Sequence, residues 1–186
     1  QIEHRGPDQE GSILLQNFSL GHQRLSIIDL SKNGKQPICN EEGDKWIVYN
    51  GEIYNFKEIR IDLENKGHRF RSYTDTEVII HAYEEYGYNC VNLFNGMFAF
   101  AISDGKKLFL ARDPVGIKPL YYYFENGRFI FASEIKALFH ANVEPKINYD
   151  AFNLLLSYRT VLGDSTLFQG IKKILPEYRK NAFVRF

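Results

Sequence analysis

Short apolar runs separated by turn signals make up most of this chain, and this pattern predicts many short strands. Asp104-Gly105 and Asn126-Gly127 each lie between two such runs, and both dipeptides favour the two-residue turns of β-hairpins. A third connection between strands is predicted near Gln16-Asn17. The predicted strands are 12–15, 18–28, 46–49, 68–73, 97–103, 106–112, 120–124 and 128–133.

Helical spacing of apolar residues is confined to four segments. Each of the first two begins with a capping-box pattern, in which an Asn or Thr is followed three residues later by Glu. Because strands outnumber helices and several strands are joined by hairpins, we predict an α+β fold of antiparallel sheets covered by helices. The helices are predicted from Asn55 (with Glu58) to Gly67, from Thr74 (with Glu77) to Gly87, over 134–140, and from Asp150 to about residue 158.

The composition is that of a folded domain of ordinary size. The chain has 186 residues, of which 44% are hydrophobic and 25% charged, and its formal net charge is zero. A balanced charge gives no support for binding to nucleic acid or to an anionic membrane. No apolar run approaches the ~20 residues of a membrane-spanning helix. With two cysteines and no signal peptide ahead of the first predicted strand, we expect a cytoplasmic protein.

The first candidate for chemistry is the dipeptide Asn50-Gly51, which follows the predicted strand 46–49. A dipeptide of this kind favours positive φ, so the simplest interpretation is a turn. The alternative is a two-donor pocket, in which the Asn side-chain amide and the Gly backbone N–H stabilise a developing oxyanion.

Arg24 and Asp75 are the charged candidates. Arg24 lies on a predicted buried strand, where a guanidinium needs a partner, either a bound planar carboxylate or an internal Asp or Glu. Asp75 lies in the first turn of a predicted helix, where it either receives an ammonium group or only complements the helix dipole. Together with Asn50-Gly51, these residues suit an α-amino acid that carries a carbonyl group at the far end of its side chain.

The cysteines and histidines give weaker signals. Cys39 lies in a predicted loop and Cys90 at a helix end, and no basic residue or helix start marks either thiol as activated. We therefore interpret both as structural residues. The five histidines and two cysteines show no metal-ligand spacing such as Cys-x-x-Cys or His-Glu-x-x-His, so no metal site is predicted.

Six ordered motifs resemble the glutaminase domain of glutamine-dependent asparagine synthetases, within the class II glutamine amidotransferase superfamily. They span most of the chain, and the likeness continues to about Pro176. We therefore expect a glutaminase domain over residues 1–176 and a C-terminal tail over 177–186. The motifs are His4–Asp8, Gln23–Ile27, Asn50–Asn55, Asp75 with Glu77, Gly96–Phe100 and Arg112–Tyr122.

The resemblance implies a four-layer αββα sandwich of two mainly antiparallel sheets, of the N-terminal-nucleophile hydrolase type. It implies that Arg24 holds the α-carboxylate of glutamine and Asp75 its α-ammonium group, while Asn50 and Gly51 form the oxyanion hole. The remaining pocket residues implied are Glu52 and the backbone of Leu25 and Ile27.

The resemblance also implies the partners of the domain. Glutamine would be its substrate and a C-terminal synthetase domain would receive the ammonia, with ATP and Mg²⁺ bound only by that second domain. No cofactor is expected in the glutaminase domain itself, and the resemblance allows a homodimer.

The chain departs from the family's pattern at both ends. Family members begin Met-Cys-Gly-Ile and use the exposed N-terminal cysteine as nucleophile, whereas this sequence begins at Gln1 and contains no synthetase motifs. We therefore expect these 186 residues alone to show no glutaminase activity. The alternatives are a catalytically silent domain, as in β-lactam synthetases, and a truncated sugar or phosphoribosyl amidotransferase.

Overall fold

A five-stranded antiparallel sheet lies at the centre of the computed structural model, which describes residues 2–15 and 17–176 and the backbone of residues 182–185. The strands are β1 (Gln9–Leu14), β2 (Ser19–Arg24), β3 (Ile38–Cys39), β4 (Trp46–Ile53), β5 (Gly96–Ser103), β6 (Lys107–Arg112), β7 (Tyr121–Glu125), β8 (Arg128–Ala132), β9 (Ile171–Lys173) and β10 (Ala182–Arg185). The α-helices are α1 (Phe56–Asn65), α2 (Asp75–Tyr86), α3 (Ile135–His140) and α4 (Tyr149–Tyr158), and 3₁₀ turns cover Glu3–Arg5, Lys32–Gly34 and Gly87–Leu93.

The strands form three antiparallel sheets in the part of the chain that the structure describes. The central sheet has the order β10-β6-β5-β4-β3, a second sheet has the order β8-β7-β9, and β1 and β2 form a separate hairpin. The predicted tail 177–186 lies partly outside the described residues, but the backbone of β10 pairs with β6. The domain boundary at residue 176 therefore stays a prediction.

The side chains of β4 and β5 alternate between two apolar cores, one on each face of the central sheet. Ile47, Tyr49 and Ile53 face α1 and α2, whereas Val48 and Ala99 pack with the β1-β2 hairpin and the three-stranded sheet. Helix α3 covers the outer face of the three-stranded sheet. This succession of helices, sheet, sheet and helix confirms the predicted α+β sandwich, although its second β-layer consists of two sheets instead of one.

The predicted strand over 68–73 is wrong, because side chains bind the backbone of this segment. The N–H groups of Arg71 and Ser72 donate to the carboxylate of Glu77, at 2.8 and 2.7 Å. The N–H of Tyr73 donates to the carboxylate of Asp29, at 3.0 Å. Because these donors are satisfied locally, the segment runs irregularly along the start of α2 instead of joining a sheet.

The helix starts agree only in part with the predicted caps. The hydroxyl of Thr74 accepts from the N–H of Glu77 at 3.3 Å, as predicted for the first half of a capping box. Asn55 makes no such bond, because its side chain bridges the backbone of Leu93 and Asn95. The last helix is capped by the side chain of Asn148, with Asp150 in its first turn.

The hairpin predictions are confirmed, while several strand ends differ from the prediction, most of all in β1, β2 and β4. The turns at Asp104-Gly105 and Asn126-Gly127 join adjacent strands, and Asn126 and Gly127 have φ of 51° and 76°. Strand β1 begins at Gln9 instead of residue 12, and β2 ends at Arg24 instead of residue 28. Among the described helices, none combines the length and the apolar composition that crossing a bilayer requires.

Candidate functional site

A cavity of about 450 Å³ lies between the two β-layers. Its wall is built by β2 and the loop after it, by the middle of β4 and β5, by the start of α2, and by residues near α3. The seven residues predicted for the site all belong to this wall. They are Arg24, Leu25, Ile27, Asn50, Gly51, Glu52 and Asp75.

The predicted turn at Asn50-Gly51 is wrong, because both residues lie within β4. Asn50 pairs with Ala99 and Gly51 with Phe98 on the neighbouring strand. A Cβ atom at Gly51 would collide with the carbonyl oxygen of Met97 and would lie 2.8 Å from the Cα of Phe98. Glycine is therefore needed here for the close approach of two strands, and the turn explanation for the dipeptide does not apply.

Asn50 presents an unused hydrogen-bond donor. Its side chain lies on the same face of β4 as Val48, because side chains two positions apart in a strand share a face, and it contributes to the cavity wall. The side-chain nitrogen Nδ2 is buried and has no hydrogen-bond partner. A buried amide without a partner costs free energy, and a bound acceptor would recover that cost.

The backbone N–H of Gly51 is placed to act beside this amide. The N–H groups of Tyr49 and Ile53 point to the open edge of β4, where they donate to Gln36 at 2.6 Å and to Asp75 at 3.0 Å. Because backbone groups alternate along a strand, the N–H of Gly51 points to that same edge and away from β5. The structure thus brings together the two neutral donors of the predicted oxyanion hole.

Arg24 is buried, with 6% of its surface exposed, and its guanidinium is held by neutral acceptors. One terminal nitrogen donates to Oε1 of Gln9 at 2.8 Å and to the carbonyl of Ser31 at 3.1 Å, and the other donates to the carbonyl of Asp29. No described carboxylate lies within ion-pair distance, so the internal ion pair that was the alternative is absent there. Two of the five guanidinium N–H groups remain for a ligand.

Gly34 makes room for this guanidinium. A Cβ atom on Gly34 would collide with a terminal nitrogen of Arg24 and lie 2.8 Å from the Cγ2 of Thr74. Thr74 directly precedes Asp75, so the guanidinium of Arg24 and the residue before Asp75 both lie close to this glycine. The arrangement packs a cationic group close to the helix start that carries the anion.

Asp75 is a buried carboxylate without a cationic partner in the described structure. One oxygen accepts from the hydroxyl of Tyr49 at 2.7 Å and from the N–H of Ile53 at 3.0 Å. Only 4% of the residue is exposed, and burial raises the pKa of its carboxyl group despite these hydrogen bonds. An ammonium group bound in the cavity would offset the cost of this buried charge.

Sequence reasoning missed two residues that shape the cavity. The side-chain amide of Gln36 accepts from the N–H of Tyr49 and donates to the carbonyl of Tyr49 at 3.1 Å. It thus makes the hydrogen bonds that a neighbouring strand would make to β4 at this position, where β3 has already ended. His22 donates from Nε2 to the same carbonyl, at 2.9 Å, and burial lowers its pKa to about 4. The position of His22 two residues before Arg24 on one strand was a usable signal, whereas Gln36 lies in a loop and had none.

The two cysteines lie outside the cavity wall. Cys90 is buried in the core between the central sheet and its helices, and burial raises its pKa to about 12. Cys39 lies in the short edge strand β3, opposite Trp46. Neither thiol is placed to act on a ligand in the cavity.

One cluster has donor atoms that a metal could bind, although sequence spacing did not indicate it. Ligand atoms of His68, His81 and Glu84 lie within 4.8 Å of one another, away from the cavity wall. Glu84 already accepts from His81 at 2.9 Å and from Asn40 at 2.7 Å, and the Nζ of Lys45 lies 3.7 Å away. Both carboxylate oxygens of Glu84 already contact these side chains, so the contacts are those of an ion-pair cluster.

His81 is a cation of this cluster, as is Lys45. Burial alone would lower its pKa, but Glu77 and Glu84 outweigh burial and raise the pKa to about 9. The Nε2 atom lies 3.8 Å from Glu77, which is a charge contact longer than a hydrogen bond.

The fold and the site together indicate a class of protein. An αββα sandwich encloses a cavity with a cation, an anion and unpaired neutral donors, as expected for an amidotransferase that binds an amino acid by its α-groups. The chain belongs to the glutamine amidotransferase domain family, whose sequence model matches residues 1–182.

Known relatives of the chain include asparagine synthetases. It is 43% identical over 177 residues to asparagine synthetase [glutamine-hydrolyzing] 1 of Bacillus subtilis, a match that covers 94% of this chain and 28% of the relative. It is 40% identical over 206 residues to the putative asparagine synthetase [glutamine-hydrolyzing] 2 of Methanocaldococcus jannaschii, with 97% of this chain and 38% of the relative covered. The chain thus spans well under half of the length of either relative.

A solved structure supports the same fold. The glutamine phosphoribosylpyrophosphate amidotransferase from B. subtilis superimposes with a TM-score of 0.56 at 26% identity, covering 64% of this chain and 28% of that one. The expected amidotransferase fold is therefore confirmed by structure as well as by sequence.

Proposed function

We propose that this chain is the glutaminase part of an asparagine synthetase and binds glutamine in the cavity between its β-layers. The domain would hydrolyse the side-chain amide to glutamate and ammonia. The names of the curated relatives support the asparagine-forming branch.

One observation carries the proposal: three unpaired groups of the right kind share one cavity. Arg24 has N–H groups left for a carboxylate, Asp75 is a buried anion without a cation, and Asn50 has a buried amide without an acceptor. A free α-amino acid with a carbonyl-bearing side chain supplies all three missing partners. A domain with only a structural role has no need for these unpaired groups, each of which costs stability.

The residues divide into those that bind and those that act on the reaction. Arg24 and Asp75 would hold the carboxylate and ammonium groups, which do not change during hydrolysis. The Asn50 amide and the Gly51 N–H would stabilise the negative charge that develops on the amide oxygen when a nucleophile attacks. The resemblance assigns that nucleophile to an N-terminal cysteine, which would form a thioester, release ammonia and be freed by water.

The ammonia would pass to a synthetase domain that amidates aspartate. The proposal assigns ATP and Mg²⁺ to that domain and requires no cofactor in the cavity described here. A homodimer and a cytoplasmic location stay predictions.

Calorimetric titration of the 186-residue chain tests the binding step without any need for catalysis. We expect L-glutamine to bind, with glutaramate (which lacks the ammonium group) and 4-aminobutanamide (which lacks the carboxylate) binding much more weakly. A pair of this charged kind contributes about 1.5–3 kcal/mol, so Arg24→Ala should weaken L-glutamine binding by more than about tenfold.

The matched control is Arg128→Ala, because Arg128 binds the carbonyl of Ala141 outside the cavity wall. Its affinity for L-glutamine should equal that of the parent chain. The proposal is wrong if the parent chain does not bind L-glutamine, or if both arginine variants bind it equally well.

A further inference from the structure

The loop after β2 is folded around the guanidinium of Arg24. The carbonyl groups of Asp29 and Ser31 both accept from it, which places residues 29–31 as a collar around the cation. The conformation of this collar is in turn held by Asp29, whose Oδ1 accepts from the N–H of Ser31 at 2.8 Å. Asp29 therefore shapes the pocket for Arg24 with both its backbone and its side chain.

The second oxygen of Asp29 reaches the other charged group of the site. Its Oδ2 accepts from the N–H of Tyr73 at 3.0 Å, two residues before Asp75. The residue between them, Thr74, caps α2 by accepting from the N–H of Glu77 at 3.3 Å. One carboxylate thus links the collar of the cation to the helix start that carries the anion.

The surroundings of Asp29 hold its carboxylate in place between the collar and the start of α2. The residue is buried, and hydrogen bonds from Ser31 and Tyr73 hold the pKa of its carboxyl group below the usual range, so that the group stays charged. A second bond between the same segments runs from Asn33 to the carbonyl of Arg71, at 3.2 Å. That bond is exposed and ends four residues before Asp75, so it constrains the helix start less directly.

We infer that Asp29 is a positioning residue that sets the spacing between Arg24 and Asp75 and thereby the preference for an L-α-amino acid. The inference rests on the proposed function, because it assumes that the two residues bind the α-groups of one ligand. Both α-groups can be bound at once only if the two sites are held at the correct separation. A ligand that carries a single α-group does not depend on this separation.

The test compares ligands within one variant. Asp29→Asn keeps the shape of the side chain but replaces one carboxylate oxygen by an amide N–H₂ group. This group would face the N–H of either Ser31 or Tyr73, so one of these two hydrogen bonds is lost. We expect the dissociation constant of L-glutamine to rise about tenfold, with the preference for L- over D-glutamine reduced by a similar factor. The affinities for glutaramate and 4-aminobutanamide should fall by a clearly smaller factor than that for L-glutamine, because each depends on only one of the two α-group sites. Asn33→Ala is the matched control and should keep the preference for L-glutamine.

The outcomes separate the inference from the proposed function. If the parent chain fails to bind L-glutamine, the proposed function fails and the inference fails with it. If the parent binds but Asp29→Asn weakens all four ligands by one common factor, or weakens none, only the inference is overturned. Asp29→Glu is the second variant if Asp29→Asn does not fold. It keeps the charge but shifts the carboxylate by one methylene, and the same loss of L-preference is expected.

Discussion

Replacement of Asp75 by Asn should separate function from stability, because ligand binding is expected to weaken while stability is kept or increased. The amide has the shape of the carboxyl group, and its oxygen can still accept from Tyr49 and Ile53. The N–H₂ group then occupies the position that faces the ligand. A donor would therefore meet the donor groups of an ammonium ion, and the charge that attracts the ion would be gone.

The magnitudes follow from the burial of Asp75. Loss of a hydrogen bond to a charged group costs about 1.5–3 kcal/mol, so L-glutamine binding should weaken roughly 10- to 150-fold. Burial raises the pKa of Asp75, so the ionised carboxylate destabilises the free protein as the pH rises above the unfolded value of 3.8. The variant removes this cost but also loses about 0.3–1 kcal/mol of helix-dipole stabilisation. Its stability at neutral pH should therefore be equal or higher, within about 1 kcal/mol.

Two measurements check this expectation: calorimetric titration with L-glutamine, and urea unfolding at neutral pH. Asp150→Asn is the control, because Asp150 lies exposed in the first turn of α4 and only the helix-dipole term applies there. If Asp75→Asn binds L-glutamine like the parent chain and loses stability like Asp150→Asn, Asp75 is only a helix-start carboxylate. The assignment of the ammonium site would then be refuted.

Three further changes probe the strand and the ion-pair cluster. Asn50→Ala should weaken L-glutamine binding less than it lowers kcat, since its donor meets more negative charge in the transition state than on the ground-state carbonyl oxygen. In a chain that carries the N-terminal cysteine, kcat should fall by about 10²–10³, and an unchanged kcat would contradict the oxyanion role. Gly51→Ala should cost about 1–3 kcal/mol in urea unfolding because its Cβ meets the backbone of β5, whereas Gly21→Ala, where the nearest atom is 4.0 Å away, should cost less. The pKa of His81 is raised to about 9, so its stabilising effect should be complete below pH 6.5 and lost as the pH rises through 9. The stability gap between the parent and His81→Gln should shrink over that range, by roughly 3 kcal/mol at most, and a gap independent of pH would show that His81 acts only by packing.

The hairpins and the charged residues of the site could be predicted from sequence because their signals are local. Asp104-Gly105 and Asn126-Gly127 need only their own backbone preferences to form turns. Arg24 is conspicuous because a charged residue is unusual on an apolar strand. Asp75 is conspicuous because a negative charge is favoured at a helix start. The cavity that joins them was expected only from the resemblance to a family.

The predictions that failed concern segments whose structure is set by residues far away in the sequence. Asn50-Gly51 has the preferences of a turn, but pairing with β5 overrides them, and nothing near the dipeptide in sequence reveals this partner. The backbone of segment 68–73 is taken up by Asp29 and Glu77, so its strand-like pattern never finds a neighbouring strand. Gln36 acts through the backbone of Tyr49, a contact that depends on the fold already being formed.

The alternation of β4 restricts how this region can change in length. Odd-numbered positions such as Tyr49 fill the helix-facing core, while even-numbered positions such as Asn50 enter the cavity. Insertion or deletion of one residue between 47 and 53 would reverse the facing of every strand residue on one side of the change. Part of the core set would then face the cavity, and part of the cavity set would face the core. Substitutions can adjust this strand one side chain at a time, but a change in its length preserves the site only in steps of two residues.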